Sequence, residues 1–479
     1  MTLSNMFYGT TIAAISTPPG KGGVAVIRIS GADAIKIAEK IFRPRGKKAF
    51  EKIIPRMQIY GDILHSEEQI DDGLLTYFPA PNSYTGEDVV EISCHGGILV
   101  TKMVLESAFV AGAVPADRGE FTKRAFVNGK LTLTETEAIS MLLEAESAAQ
   151  VKLSREKSRA KLKSATEEIR ADLVSTLSSV FARIDYPDED LGEMTSVEVL
   201  ASVLAAKSKV EELISTYKTG KAVMLGVPTV ICGKPNVGKS TLYNLLVGED
   251  AAIVTDIPGT TRDVLEKNVP LGNVMLKLYD TAGIREGKVD TVEAIGIKRS
   301  MERIETAELA LALFDSNSEL DSEDLKIIES LVKTSAVKIG ILTKNAENVN
   351  NTSQKSEYTC TKNEKTLLEM GFEKVLKISV KERADDARLQ LSRIVEALFC
   401  DEKITIGEDA VVSSARQYAA LVKAANYLST AADAIKIGLP EDAVSSDVEL
   451  ALGAISELDG RAVSEEIVSD IFAKFCVGK

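Results

Sequence analysis

The chain reads as a multidomain protein of α/β and α character. It comprises an N-terminal mixed α/β domain, a discontinuous helical domain, and an inserted P-loop domain with a mostly parallel sheet. Three observations predict this. The stretch Gly233-Lys234-Pro235-Asn236-Val237-Gly238-Lys239-Ser240-Thr241 satisfies G-x-x-x-x-G-K-[ST] in full, with an apolar run at Val227–Ile231 before it and Leu242–Val247 after it. Strand and helix signals alternate from about Lys221 to about Asp401, the pattern of a parallel sheet covered on both faces. Helical texture lies on both sides of that stretch, Glu120–Lys218 before it and Ala410–Phe475 after it, which makes the P-loop domain an insertion. The expected divisions are 1–118, 119–218, 219–403 and 404–479.

The first of these is mixed α and β. Short β-branched runs, Val24–Ile29 and Val89–Ile92, alternate with Gly and Pro turns. Amphipathic helices are expected at Ala32–Ile41 and Leu99–Val110. Two loops, Thr17–Gly23 and Phe78–Asp88, are rich in turn-forming residues, so their shape matters either to a ligand or to the turn itself. From Leu131 to Ala182 no proline interrupts a long helical run. Lys152, Arg155, Lys157, Arg159, Lys161 and Lys163 make a basic stretch there, read as a solvated face in preference to an RNA contact. Tyr186–Asp190 breaks the helix and Val197–Thr216 resumes it. Strands are expected at Thr229–Cys232, Met275–Tyr279, Leu309–Phe314, Lys338–Leu342 and Val375–Ile378, with helices at Leu320–Lys333 and Ala387–Phe399.

Composition limits the function classes. A 479-residue chain with 45% hydrophobic and 27% charged residues is that of an ordinary multidomain globular protein. The net charge of −14 argues against a general nucleic-acid coat but leaves room for a local RNA contact. Five scattered cysteines and two histidines, His65 and His95, make a Cys/His zinc site improbable. No membrane span or signal pattern is visible, and a reducing, cytoplasmic location is the simplest expectation.

The P-loop assigns phosphate chemistry. Its glycines let backbone N–H groups point at phosphate oxygens, Lys239 reaches the β and γ phosphates, and Ser240 offers its hydroxyl to Mg²⁺. Thr255-Asp256-Ile257-Pro258-Gly259-Thr260-Thr261 follows as a switch I segment, with Thr261 for Mg²⁺ and the γ-phosphate. Asp280-Thr281-Ala282-Gly283 then follows a strand as a Walker-B carboxylate and switch II glycine should. These pieces define a Ras-like GTPase domain. Ile284 stands where Ras-like enzymes place a water-orienting glutamine, so another group must position water. The base loop departs from N-K-x-D: it reads Thr343-Lys344-Asn345-Ala346, and Ala346 removes the acceptor for guanine at a cost of about a few kcal/mol. Ser379-Val380-Lys381 matches the loop that packs against the base. GTP is the expected nucleotide.

With these pieces placed, the chain closely resembles the MnmE (TrmE) family of tRNA-modification GTPases. The resemblance includes T-P-P-G-K-G-G-V, R-I-S-G, F-P-A-P-N-S-Y-T-G-E-D-V-V-E, H-G-G, R-G-E-F-T-K-R-A-F-V-N-G-K-L and the terminal Phe475-Cys476-Val477-Gly478-Lys479. It implies an N-terminal folate-binding and dimerising domain, a helical domain and an inserted G domain. It further implies a homodimer that joins the flavoprotein MnmG in a heterotetramer, with FAD entering only through that partner. The reaction implied adds an aminomethyl or carboxymethylaminomethyl group to the 5-position of the wobble uridine of certain tRNAs, using 5-formyl- or methylene-tetrahydrofolate.

By motif match Arg28, Glu91, Lys130 and Lys479 fall on folate contacts, where an arginine and a carboxylate suit the pterin edge. Asn236, with Thr255, Ile257 and Thr260, falls on a K⁺ site whose charge substitutes for an arginine finger. Glu293 is selected as the water-positioning residue, ahead of Glu286. Cys476 becomes a functional cysteine, as a nucleophile or as a residue shaping the folate site. Two alternatives stand beside this reading: a switch GTPase serving RNA or ribosome assembly without carbon chemistry, and an adenine-specific P-loop ATPase suggested by Ala346 alone.

Overall fold

The computed structural model describes residues 9–45, 53–185, 194–248, 266–279, 305–343, 354–378, 384–460, 468, 471–473 and 475–478. They fall into two compact units, Met1–Leu143 with Gly453–Lys479, and Glu144–Leu452.

The first unit is built on a seven-stranded sheet. Its strands are β1 (Ile12–Ile15), β2 (Val24–Ser30), β3 (Phe42–Pro44), β4 (Ile59–His65), β5 (Glu68–Phe78), β6 (Val89–His95) and β7 (Val114–Pro115), in the order β3-β4-β5-β6-β2-β1-β7. All neighbours pair antiparallel except β1 with β7. Alternation along the central strands separates two faces. Ile27, Ile29, Val90 and Ile92 are buried in one core with Ala38 and Ile41 of α1 (Ala34–Ile41) and Val104 and Ala108 of α2 (Ile98–Ala111). Both helices lie within two residues of their expected bounds at each end. The other face carries Arg28 and Glu91 and is covered near β1 by Phe121, which packs with Ile12, Ala14 and Ala116.

Phe121 belongs to α3 (Glu120–Val127), which is followed by α4 (Leu133–Leu143). Residues 119–143 and 453–479, read from the sequence as helical domain, therefore share a compact unit with the N-terminal sheet. The physical reason is that the buried side of α3 has that sheet to cover.

The second unit begins where the expected long helix breaks. In place of one run from Leu131 to Ala182, α4 ends at Leu143 and is followed by α5 (Ala148–Leu153) and α6 (Glu156–Asp185). The break is made by Ser147. Its side chain accepts from Gln150 N, while Gln150 Oε1 accepts from the N–H groups of Ser147 and Glu146. A second capping box, Thr195 with Glu198, starts α7 (Ser196–Ser215). The short α8 (Tyr217–Met224) then leads into the nucleotide sheet.

That sheet contains β8 (Val227–Gly233), β9 (Glu266–Leu271), β10 (Val274–Tyr279), β11 (Leu309–Asp315), β12 (Val337–Thr343) and β13 (Lys374–Lys377). Its order is β13-β12-β11-β8-β10-β9, parallel except for β9 against β10. The five expected strands are present within a residue or two, because near-continuous apolar runs mark strands buried on both faces. Helices α9 (Lys239–Val247), α10 (Ser322–Val332), α11 (Gln354–Glu369) and α12 (Ala384–Phe399) accompany it, and α13 (Ala415–Lys436) and α14 (Glu441–Asp459) follow.

The chain enters and leaves this sheet side by side. Thr216 Oγ1 accepts from Val412 N at 3.0 Å and Thr219 Oγ1 from Asp401 N at 2.9 Å. The rings of Tyr217 and Tyr418 stack 4.3 Å apart. Among the described residues no helix is long and apolar enough to cross a membrane.

Candidate functional site

In the doubly wound sheet β8 lies between β11 and β10, and the loop after its C-terminal end is where a ligand belongs. The backbone there is shaped by three positive φ angles: Gly233 at 143°, Asn236 at 61° and Gly238 at 103°. At Gly233 a Cβ would come within 2.6 Å of Leu313 O, so glycine is required for close approach to β11. Gly238 caps α9, and Lys239 and Ser240 form its first turn. Val237 is buried beneath the loop, whereas Asn236 and Ser240 are exposed on it. Thr241 is half-buried one position further along the helix.

Lys239 Nζ donates to the carbonyls of Gly233 and Lys234, each at 2.7 Å. Burial holds its ammonium below the usual lysine range, and the same burial pushes the Cys232 thiol up to about 12, so that neighbour stays neutral. A desolvated ammonium held by two neutral carbonyls gains by exchanging them for phosphate oxygens. The loop therefore fits a nucleoside polyphosphate.

Thr343, the departure from the guanine-loop pattern, closes β12. Its hydroxyl is buried and donates to Val237 O at 2.8 Å, with Phe314 O at 3.2 Å. The side chain that replaces asparagine thus ties the base loop to the P-loop. The expected site residues Thr255, Asp256, Ile257, Pro258, Gly259, Thr260, Thr261, Asp280, Thr281, Ala282, Gly283, Glu293, Lys344, Ala346, Ser379, Val380, Lys381 and Lys479 lie outside the described residues.

A second constellation stands on the first unit. Arg28 and Glu91 are directly opposed on β2 and β6, joined by Nε–Oε1 at 2.8 Å and Nη2–Oε1 at 2.7 Å. The guanidinium lies 5.5 Å from the Tyr84 ring centroid and 5.7 Å from that of Phe121. Tyr84 is fixed in turn by its hydroxyl against Thr122 Oγ1 at 2.9 Å. Lys130 donates to Pro81 O at 3.1 Å, which brings the third expected folate residue onto the same loop as Tyr84.

The C-terminal segment packs on the same unit. Val477 bridges Arg118, Gly119 N donates to Cys476 O, and Ser16 Oγ donates to Gly478 O at 3.1 Å beyond β1. Cys476 is exposed. The structure thus brings Arg28 together with Glu91, ties Lys130 to the loop that carries Tyr84, and seats the tail beside the end of β1. An arginine–carboxylate pair whose guanidinium lies beside two aromatic rings can hydrogen-bond the edge of a flat heterocycle.

Sequence reasoning passes over one group. Arg124, fully buried, donates to Glu120 at 2.8 Å, to Glu87 at 3.1 Å and to Thr10 O at 2.8 Å. Glu87 also accepts from Ser30 at 2.7 Å, next to Thr85, whose carbonyl takes Asn128 Nδ2 at 2.7 Å. This network fixes the Ser83–Asp88 loop. The Glu120–Arg124 spacing of four was the readable signal, but its distant partner Glu87 was not.

A P-loop domain of this topology, joined to a unit with an arginine–carboxylate site, defines a modular P-loop nucleotide-binding protein. The family described as "GTP-binding protein TrmE N-terminus" matches residues 11–130, and "MnmE helical domain" matches residues 133–476. The tRNA modification GTPase MnmE of Thermotoga maritima is 38% identical over 98% of this chain and 100% of its own length. That of Clostridioides difficile is 37% identical over 99% and 100%. The chain belongs to the MnmE family. Among solved structures, elongation factor SelB from Methanococcus maripaludis with a GTP analogue is similar at 18% identity over 36% of this chain and 34% of that one, with a TM-score of 0.27.

Proposed function

We propose that this chain is a potassium-stimulated GTPase that serves tRNA wobble-uridine modification together with the flavoprotein MnmG, using a one-carbon unit from tetrahydrofolate. The observation that carries the proposal is the coexistence of the desolvated Lys239 in a shaped P-loop with the Arg28–Glu91 pair on a separate unit. The first needs an anionic nucleotide and the second a flat hydrogen-bonding heterocycle.

In this reading Lys239 leaves its two carbonyls to neutralise the β and γ phosphates, and the N–H groups of Gly238, Lys239 and Ser240 turn toward the same anion. Ser240 and Thr261 would hold Mg²⁺, and Asn236, Thr255, Ile257 and Thr260 would hold K⁺. Bound there, the cations would supply positive charge to the phosphate site. Glu293 orients the attacking water in place of the missing glutamine. Thr343 keeps the base loop in register with the P-loop, while Ala346 leaves guanine less firmly read.

On the other unit, Glu91 would accept from the pterin N–H groups, Arg28 holds that carboxylate in place, and Tyr84 supplies an apolar wall. Lys130 and Lys479 complete the folate contacts, with Cys476 beside them. A folate held here would supply the one-carbon unit, and FAD would come with the partner. We read the divisions 1–118, 119–218, 219–403 and 404–479 as the functional domains of a cytoplasmic homodimer that presents tRNA to this site.

Steady-state hydrolysis of GTP and ATP in potassium and in sodium buffers tests the nucleotide half. GTP turnover is expected to rise at least about tenfold in potassium and to exceed ATP turnover, a difference of about 1.4 kcal/mol in barrier. Equal rates in both salts would remove the cation site. For the folate half, equilibrium dialysis of the full chain with 5-formyl-tetrahydrofolate should show binding that Glu91→Gln weakens by about tenfold or more. Unchanged binding by that variant would remove the pterin assignment.

A further inference from the structure

Position 234 is one of the four that the P-loop pattern leaves open, and here it holds a lysine whose side chain ends on two carboxylates of another element. Lys234 Nζ lies 2.6 Å from Asp321 Oδ2 and 2.8 Å from Asp324 Oδ2. The lysine side chain is 16% exposed and that of Asp324 3%. Both carboxylates open α10, the helix that follows β11, the neighbour of β8.

Each partner is fixed independently. Asp321 Oδ1 accepts from the N–H groups of Glu323 and Asp324 at 2.9 and 3.1 Å, and Asp324 Oδ2 accepts from Asp321 N at 3.2 Å. The lysine's hydrogen bond, followed by the α10 amides, holds the Asp321 carboxyl down at about 2, so the carboxylate is fully ionised across the physiological range. Asp324 Oδ1 is buried and without a hydrogen-bond partner, so the Lys234 ammonium is its main compensation.

The backbone of the same lysine meets the P-loop lysine. Its carbonyl is one of the two that receive Lys239 Nζ. A continuous line of bonds therefore runs from the α10 amides through Asp321 and Asp324 to Lys234, and from the Lys234 carbonyl to the P-loop lysine. A side chain with no direct phosphate role sets where the carbonyl that parks Lys239 stands. It also neutralises one of two negative charges beside a site that must accept a polyphosphate.

We propose that Lys234, clamped by Asp321 and Asp324, is a positioning residue for nucleotide binding: it sets the P-loop backbone and screens the α10 carboxylates from the bound phosphates. The proposal rests on nucleotide binding at the P-loop. Its failure differs from failure of that reading, because wild-type chain that binds no GDP would remove the reading itself.

The test is fluorescence titration of the full chain with N-methylanthraniloyl-GDP, combined with steady-state GTP kinetics and thermal unfolding. Lys234→Met is expected to raise Kd for the probe and KM for GTP by about tenfold, with kcat at saturating GTP within about twofold. Lys234→Arg should restore binding to within about threefold, since it keeps the charge and reaches both carboxylates. Lys234→Met/Asp324→Asn should recover part of the loss, because one uncompensated carboxylate is gone. Asp321→Asn, at the more exposed partner, gives a weaker loss in the same direction and serves if Lys234→Met does not fold. A folded Lys234→Met with wild-type Kd would overturn the proposal. So would a fall in kcat equal to the rise in KM, which would assign the lysine a direct role in the reaction. A double variant no better than Lys234→Met would overturn the screening half.

Discussion

Arg124 donates to two carboxylates and to the Thr10 carbonyl from a side chain that is 1% exposed. Removing one partner of such a group strands the others in low dielectric, which costs about 3–5 kcal/mol. Arg124→Met is therefore expected to lower the first urea transition of the full chain by about that amount. It should also weaken 5-formyl-tetrahydrofolate binding, because Glu87 anchors the loop that carries Tyr84. A transition within about 1 kcal/mol of wild type would show that water compensates the stranded carboxylates. At this scale legibility was uneven. Lys239 and Gly238 were readable from the motif alone, since phosphate chemistry dictates them. Arg28 and Glu91 were readable only through resemblance, because nothing in two alternating strands says that positions 63 residues apart face each other. Lys234 was not readable at all, because the pattern leaves its position free and its partners lie on another element.

Among elements, the C-terminal segment is held by backbone geometry as much as by side chains. Gly478 has φ of 96°, and a Cβ there would stand 2.1 Å from Ile15 O. Gly478→Ala should therefore displace the tail from β1. Amide exchange at Gly119, whose N–H points to Cys476 O, is expected to accelerate about tenfold or more, read by hydrogen exchange and mass spectrometry. Unchanged exchange would mean that Gly119 is protected without the tail. The strands of the nucleotide sheet were legible because burial on both faces leaves uninterrupted apolar runs. The hairpin of β4 and β5 was not, because its turn residues, Ser66 and Glu67, take φ of 48° and 73° without the Asn-Gly signal that usually marks such a turn. The α4–α5 break was hidden likewise, since Ser147 and Gln150 read as ordinary helix residues until their reciprocal bonds are seen.

On the scale of the whole molecule, the sequence suggested an insertion from texture, and the structure supplies the physical junction. Gly220 packs so closely on the returning chain that a Cβ would lie 2.0 Å from Val412 O and 2.9 Å from Val411 Cγ1. Gly220→Ala should cost about 1–3 kcal/mol through overpacking and lower the unfolding temperature. It should also open the 400–412 connector to limited proteolysis, and resistance equal to wild type would show that the junction adjusts without separating. What the sequence could not convey is which chain segments meet there, because Thr216 and Val412 are 196 positions apart.

That junction has a mechanical meaning. A domain hung on one strand of chain can swivel about it in any direction. One hung on two strands tied side by side cannot spin without twisting them around each other, and keeps a single easy axis, the line across the pair. Any stroke of the nucleotide sheet that follows phosphate release would be delivered to the helices as a tilt about that axis, with the stacked Tyr217 and Tyr418 rings close to its pivot.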